Sequence, residues 1–138
     1  ELFSNPYHSP YLSVVTPSTH DMTTIREWWE EDKTNTQQFY NQQLGHYGNA
    51  PFYAEPWVCR DVLQQHLNSP AMWAVFLLQD LLAMDESLRA ENPKSERINN
   101  PANPDHYWNY RMHVTLENLS AQAGFIVTLK TMIQDSGR

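Results

Sequence analysis

The stretch Val14-Val15-Thr16-Pro17-Ser18-Thr19-His20-Asp21, continued by Met22-Thr23-Thr24-Ile25-Arg26-Glu27-Trp28-Trp29, decides how the rest of the chain is read. Two β-branched residues favour extended backbone and lead into a turn. The turn ends in a His-Asp pair, and an amphipathic helix follows. This is the strand–loop–helix order of a β/α unit with a carboxylate at the strand's C-terminal end, the end that carries the chemistry in β/α barrels. An ionised carboxylate beside an imidazole can grip adjacent sugar hydroxyls and stabilise positive charge near them. Taken in isolation, the pair favours a blander reading in which Asp21 caps the next helix. The Thr-Pro-Ser-Thr turn before it and Trp28-Trp29 after it shift the balance toward a site.

Working outward, Tyr11 to Thr16 reads as a short, fully buried strand. Thr24 and Glu27 have capping-box spacing, so a helix is expected over residues 25–31. Asn35 is expected to cap a second helix over residues 36–44, closed by Gly45. Pro56 suits a first helical position, and apolar residues at 58, 62, 63 and 67 follow helical period up to Asn68-Ser69-Pro70. Met72 to Leu78 is apolar without alternation, as in a parallel strand covered on both faces. A short helix over residues 80–84, a polar loop over 91–105, a turn from Thr115 and a last helix over 122–134 complete the reading. In that last helix Phe125, Ile126, Leu129, Met132 and Ile133 share one face. Two parallel strands cannot hide both faces alone, so the pattern predicts the closing part of a larger α/β structure.

Length and composition agree with that expectation. The chain has 138 residues, whereas a whole β/α barrel takes roughly 250. It begins at Glu1 without an initiator Met, and its first residues show no helix or strand pattern, which predicts a piece of a longer parent. The formal net charge is −7, which argues against nucleic acid or an anionic membrane as partner, since both need clustered Lys and Arg. The longest apolar run, Ala71 to Leu78, is far short of the ~20 residues that span a bilayer. A single cysteine, Cys59, excludes an internal disulfide and suits a reducing, cytoplasmic setting. Its apolar neighbours make it a small core residue rather than a nucleophile.

Other polar groups are weighed the same way. His8, His46, His66, His106 and His113 are scattered, and neither His-Glu-x-x-His nor paired cysteines occur, so no metal site and no cofactor are expected. Within Arg97-Ile98-Asn99-Asn100-Pro101-Ala102-Asn103-Pro104, the Asn99 amide both donates and accepts, which suits hydroxyl recognition. Trp108 and Tyr110 can stack on sugar faces, although alternate aromatics more often pack in a core or an interface. Asp80 is as suited to capping its own helix as to touching a ligand. Asn118-Leu119-Ser120 has the form of a glycosylation sequon and is read as a helix start.

Thr19-His20-Asp21, Trp28-Trp29, Ser69-Pro70-Ala71-Met72-Trp73, Leu78-Gln79-Asp80-Leu81-Leu82, Arg97-Ile98-Asn99 and Trp108-Asn109-Tyr110-Arg111 come in an order that resembles the C-terminal part of 4-α-glucanotransferases. These are also called amylomaltases or disproportionating enzymes. Ile98 to Pro104, Tyr110-Arg111-Met112-His113 and Ser136-Gly137-Arg138 look closest to the branch typified by the plant cytosolic enzyme and its bacterial relatives. The resemblance covers nearly the whole chain.

It implies an α/β fold in which residues 1–138 form the last two β/α units of a (β/α)8 barrel, mostly helical by content and incomplete as a domain. It also implies a parent enzyme that moves α-1,4-glucan segments of starch, glycogen or maltooligosaccharides from donor to acceptor sugar by retaining double displacement. The nucleophilic Asp and the acid/base Glu of such enzymes have no matching motif here, so the isolated chain is expected to be inactive. Asp21 matches the family's third carboxylate, the transition-state stabiliser; His20 matches the neighbouring imidazole, and Asn99 the substrate-contacting amide of an Arg-Met-Asn-x-Pro-Gly loop. This chain has Ile98 in place of that Met and Ala102 in place of that Gly.

Two readings from other classes remain beside this one: a helical interaction or carbohydrate-binding module, and a small metal-dependent hydrolase. The position of Asp21, at the C-terminal end of a strand facing a cleft or on an outer helix end, separates the first from the enzyme. Bound zinc or iron would mark the second. Cut from its partner strands, the chain is expected to expose apolar strand edges and to cover them by association or domain swapping.

Overall fold

The computed structural model describes residues 3–138. Its sheet is the parallel pair that the two apolar runs predict. Strand β1 (Val14–Val15) lies beside β2 (Trp73–Ala74), with Val14 opposite Trp73 and Val15 opposite Ala74. Backbone bonds extend the pairing at both ends, from Met72 N–H to Tyr11 O (2.7 Å) and from Val75 N–H to Val15 O (3.0 Å). Both strands are shorter than expected, and their burial is one-sided. Val15 is buried, whereas Leu12, Val14, Met72, Trp73 and Val75 are exposed. The physical reason is that the pair has no third strand among the described residues, so only the face turned toward the helices is covered.

Helix α1 (Ile25–Glu31) begins where the capping-box spacing puts it, with Thr24 Oγ1 accepting from the Glu27 N–H at 3.4 Å. Only half of the box forms, because the Glu27 carboxylate turns toward Arg97 instead of back to the cap. α2 (Lys33–Gln42) starts three residues earlier than expected. Its cap is Asp32, not Asn35: Asp32 Oδ1 accepts from the N–H groups of Thr34 (2.8 Å) and Asn35 (3.2 Å). A carboxylate directly after α1 therefore ends one helix and opens the next. Gly45, at φ +72°, then supplies the left-handed residue that turns the chain out of α2.

α3 (Pro56–Leu67) opens on Pro56, whose missing N–H is no loss in a first turn. It buries Val58, Cys59, Val62, Leu63 and Leu67 against Trp29 of α1, Leu82 and Met84. Burial pushes the Cys59 thiol up to about 12, so it stays a protonated core residue, as its neighbours in sequence suggest. α4 (Leu78–Leu82) follows β2 directly, two residues earlier than expected. α5 (Leu116–Ser120) is capped by Thr115, whose hydroxyl accepts from the Asn118 N–H at 3.1 Å, so Asn118 sits in a helix start. α6 (Ala123–Asp135) turns Phe125 and Met132 into the core. Beyond it, Gly137 (φ +78°) lets the chain fold back. Arg138 then donates to the carbonyls of Leu67, Ser69 and Ala71, each at 2.7 Å, clamping the connection into β2. Among the described residues, no helix is long and apolar enough to cross a membrane.

Candidate functional site

The turn after β1 is held from inside. Thr16 Oγ1 donates to Ser18 O at 2.6 Å, and Ser18 Oγ donates to the Asp80 carboxylate. Asp80 is fully buried, and its other oxygen accepts from the Ile25 N–H at 2.9 Å. That bond satisfies a donor that a helix start leaves orphaned, so Asp80 caps α1 from another part of the chain. Its expected alternatives, capping its own helix or touching a ligand, are both replaced by this internal tie. Burial raises the Asp80 pKa, and the bonds from Ser18 and Ile25 lower it in part.

With the turn pinned at Ser18, the next residues face outward. The Asp21 side chain is 49% exposed, and Asp21 does not cap α1, whose cap is Thr24. Asn99 Nδ2 donates to Asp21 Oδ1 at 2.6 Å, across 78 positions of sequence. His20 Nε2 lies 3.4 Å from Asp21 Oδ2. The Asn99 backbone N–H donates to His20 O at 3.0 Å. The exposed Trp108 sets its ring 5.2 Å from the His20 imidazole, centroid to centroid, with a 50° tilt. The three residues expected to form a site therefore meet, together with Trp108.

The elements that hold Asn99 in place are not evident from local sequence. Arg26 of α1 donates to Ala90 O (2.7 Å) and to the buried Glu96 carboxylate (3.1 Å). Glu27 faces Arg97 at 3.7 Å, and Arg97 Nε donates to Asn99 O at 3.0 Å. Burial raises the pKa of both Glu27 and Glu96, while Arg97 and Arg26 respectively pull them back down. Reversed adjacent charges, Arg26-Glu27 against Glu96-Arg97, were the available signal, but their partnership takes the fold to reveal.

Asp21 stands on open surface. A hollow of about 510 Å³ lies beside the turn, lined by Thr16, Pro17, Met22, Thr24, Trp28, Phe39 and His66 among others, and it does not include Asp21, His20 or Asn99. Asp21 thus lies beyond the C-terminal end of a strand and outside that hollow.

Beyond the C-terminal end of a parallel strand, a carboxylate, an amide, an imidazole and an indole thus stand together, groups whose chemistry suits hydroxyl recognition. Residues 1–117 match the family model for 4-alpha-glucanotransferases of glycoside hydrolase family 77. The 4-alpha-glucanotransferase DPE2 of Oryza sativa subsp. japonica is 40% identical over 136 residues, which cover 99% of this chain and 14% of that protein. The 4-alpha-glucanotransferase of Chlamydia muridarum is 31% identical over 115 residues, covering 81% of this chain and 21% of the relative. The solved amylomaltase of Streptococcus agalactiae, in complex with acarbose, superposes with a TM-score of 0.69 at 19% identity, over 96% of this chain and 23% of that one. The chain therefore belongs to the 4-alpha-glucanotransferase family, has a barrel-derived fold, and spans between a seventh and a quarter of the length of these relatives.

Proposed function

We propose that residues 1–138 are the last two β/α units of a glucanotransferase barrel, an incomplete domain, and that the parent enzyme transfers α-1,4-glucan segments between maltooligosaccharides or longer glucans. The observation that carries this reading is the Asn99–Asp21 contact at the C-terminal end of β1. A carboxylate on the outer end of a helix would have favoured a binding module instead. The exposed apolar residues Leu12, Val14, Trp73 and Val75 fit the same reading. In a complete barrel neighbouring strands would cover them, and in the isolated chain a second copy would do so. The single buried cysteine suits a cytoplasmic enzyme.

Retaining transfer passes through a covalent glycosyl-enzyme and two oxocarbenium-like transition states. In this reading the nucleophile and the acid/base come from other strands of the parent. Asp21 accepts hydrogen bonds from the 2- and 3-hydroxyls of the sugar being cleaved. Those bonds tighten as the ring flattens, so they favour the transition state over the ground state. The carboxylate charge adds electrostatic stabilisation once glucan has displaced water. His20 donates to the same sugar edge. Asn99 spends one amide hydrogen on Asp21, which leaves its other hydrogen and its carbonyl oxygen for sugar hydroxyls. Trp108 offers an apolar face beside them.

In the parent enzyme, Asp21→Asn is expected to cut maltotriose disproportionation by roughly a hundredfold or more. The amide can still face Asn99, so folding should change little. Near-normal turnover would remove Asp21 from the catalytic set. The 138-residue chain by itself should release no glucose from maltotriose above blank; release would refute the claim that its catalytic partners lie elsewhere.

A further inference from the structure

The loop that carries Asn99 has no helix or strand of its own between the 3-10 turn at Pro93–Glu96 and α5. Ordering such a segment costs about 1 kcal/mol or more per residue, so something must hold the amide on Asp21. Two ion pairs between α1 and this loop are in place to do so. Arg26 with Glu96 is the inner one, and both side chains are nearly fully buried. Glu27 with Arg97 is the outer one, at 3.7 Å and partly open to solvent.

The outer pair is the informative one. The Arg97 guanidinium is a rigid plane that makes two contacts at once: Nη1 faces Glu27 Oε1, and Nε donates to Asn99 O at 3.0 Å. From the same residue, Asn99 Nδ2 reaches Asp21 and the backbone N–H reaches His20 O. The contacts thus form an unbroken series from α1 to the exposed carboxylate. Among the described residues the buried Glu27 Oε2 finds no hydrogen-bond partner, and the carboxylate faces Arg97 rather than the helix cap. A lysine at 97 could satisfy Glu27 or the Asn99 carbonyl, but its point charge lacks the fixed fork that serves both.

We propose that Glu27 and Arg97 are positioning residues of the glucan site, which hold the Asn99 amide on Asp21 and act on catalysis through it. The inference rests on the reading of Asp21 and Asn99 as the glucan site. It adds that the rigidity of Asn99 is set by a side chain on the helix that follows the catalytic loop. Neither residue needs to touch sugar.

The test is a double-mutant cycle in the full-length parent enzyme, read as kcat/KM for maltotriose disproportionation, with urea midpoints taken alongside. Arg97→Gln and Arg97→Lys are each expected to lower kcat/KM roughly 10- to 100-fold, the scale of an ångström-level misplacement. Glu27→Gln, which keeps an oxygen facing Arg97, should lose about threefold, the scale of one partly exposed ion pair. In an Asn99→Ala background the Arg97→Gln loss should shrink to about twofold, since residues that act as a unit are not additive. The same loss in both backgrounds would show a merely structural pair and overturn the proposal, as would unchanged kcat/KM in Arg97→Gln. Should Arg97→Gln fail to fold, Glu27→Gln taken through the same cycle decides. Wild-type activity in Asn99→Ala alone would bring down the glucan-site reading itself, and this proposal with it. A strong Asn99→Ala defect with additive Arg97 losses would leave that reading standing and sink only the positioning role.

Discussion

Asp21 and Asp80 stand at the same offset, six residues beyond the paired strand positions Val15 and Ala74. Their fates are opposite. Asp21 is half exposed, and its carboxylate faces His20 and Asn99. Asp80 is fully buried and holds Ser18 and the first N–H of α1. The difference comes from where the next helix begins. α4 starts at Leu78, so by Asp80 the chain has already turned inward. α1 starts only at Ile25, so Asp21 is left on the longer turn outside. The buried aspartate also ties down the turn that presents the exposed one. A carboxylate after a strand is therefore not by itself a site, and its burial and its partners separate structure from chemistry.

The sharpest way to break this contrast is to exchange the two effects. Asp21→Asn should remove most transfer activity in the parent enzyme while leaving its urea midpoint in place. Asp80→Ala should leave the Ile25 N–H and the Ser18 hydroxyl buried without their partner and cost about 3 kcal/mol of stability, read from urea unfolding. If Asp80→Ala unfolded at the wild-type midpoint, its internal tie would carry no weight and the contrast would dissolve.

A subtler effect concerns protons. Burial raises the folded-state pKa of Asp80, so the folded chain holds that proton more tightly than the unfolded one. The group's contribution is then fully present below the ordinary carboxylate range and is lost as pH rises through the raised value. Wild type should accordingly gain stability relative to Asp80→Asn between neutral and mildly acid pH. Glu27 and Glu96 shift in the same direction and are common to both proteins. His66, whose pKa burial lowers, works oppositely and also cancels in the comparison. Urea unfolding of the two proteins at both pH values reads the difference, and a gap that ignores pH would contradict the assignment.

The smallest expected effect is that of Thr24→Ala. Loss of the α1 cap should cost about 1 kcal/mol, a share kept modest because Asp80 already satisfies the Ile25 N–H. A loss well above about 2 kcal/mol would mean that Thr24, rather than Asp80, secures the helix start.

Much of the architecture is legible in the residues. The helix at 25–31, the start at Pro56, the parallel partnership of the two apolar runs and the inertness of Cys59 rest on local rules: caps, period, proline geometry and apolar neighbours. Where local signals compete, the reading slips. Asp32 and Asn35 are both good caps, and the choice of Asp32 follows from α1 ending there. The apolar run at 72–78 carries the composition of a strand covered on both faces, but how many strands lie beside it is not written in that run.

By itself the sequence singled out the candidates Asp21, His20 and Asn99, through their types, the turns that bear them and an order of motifs that resembles 4-α-glucanotransferases. Only the tertiary structure decided that Asn99 meets Asp21, that Arg97 and Glu27 support the meeting, and that Asp80 turns inward. The physical reason is range. Caps and periodicity act over a few residues and are encoded side by side. A contact across 78 positions depends on how every intervening loop closes, and on which carboxylate finds partners that repay its loss of water.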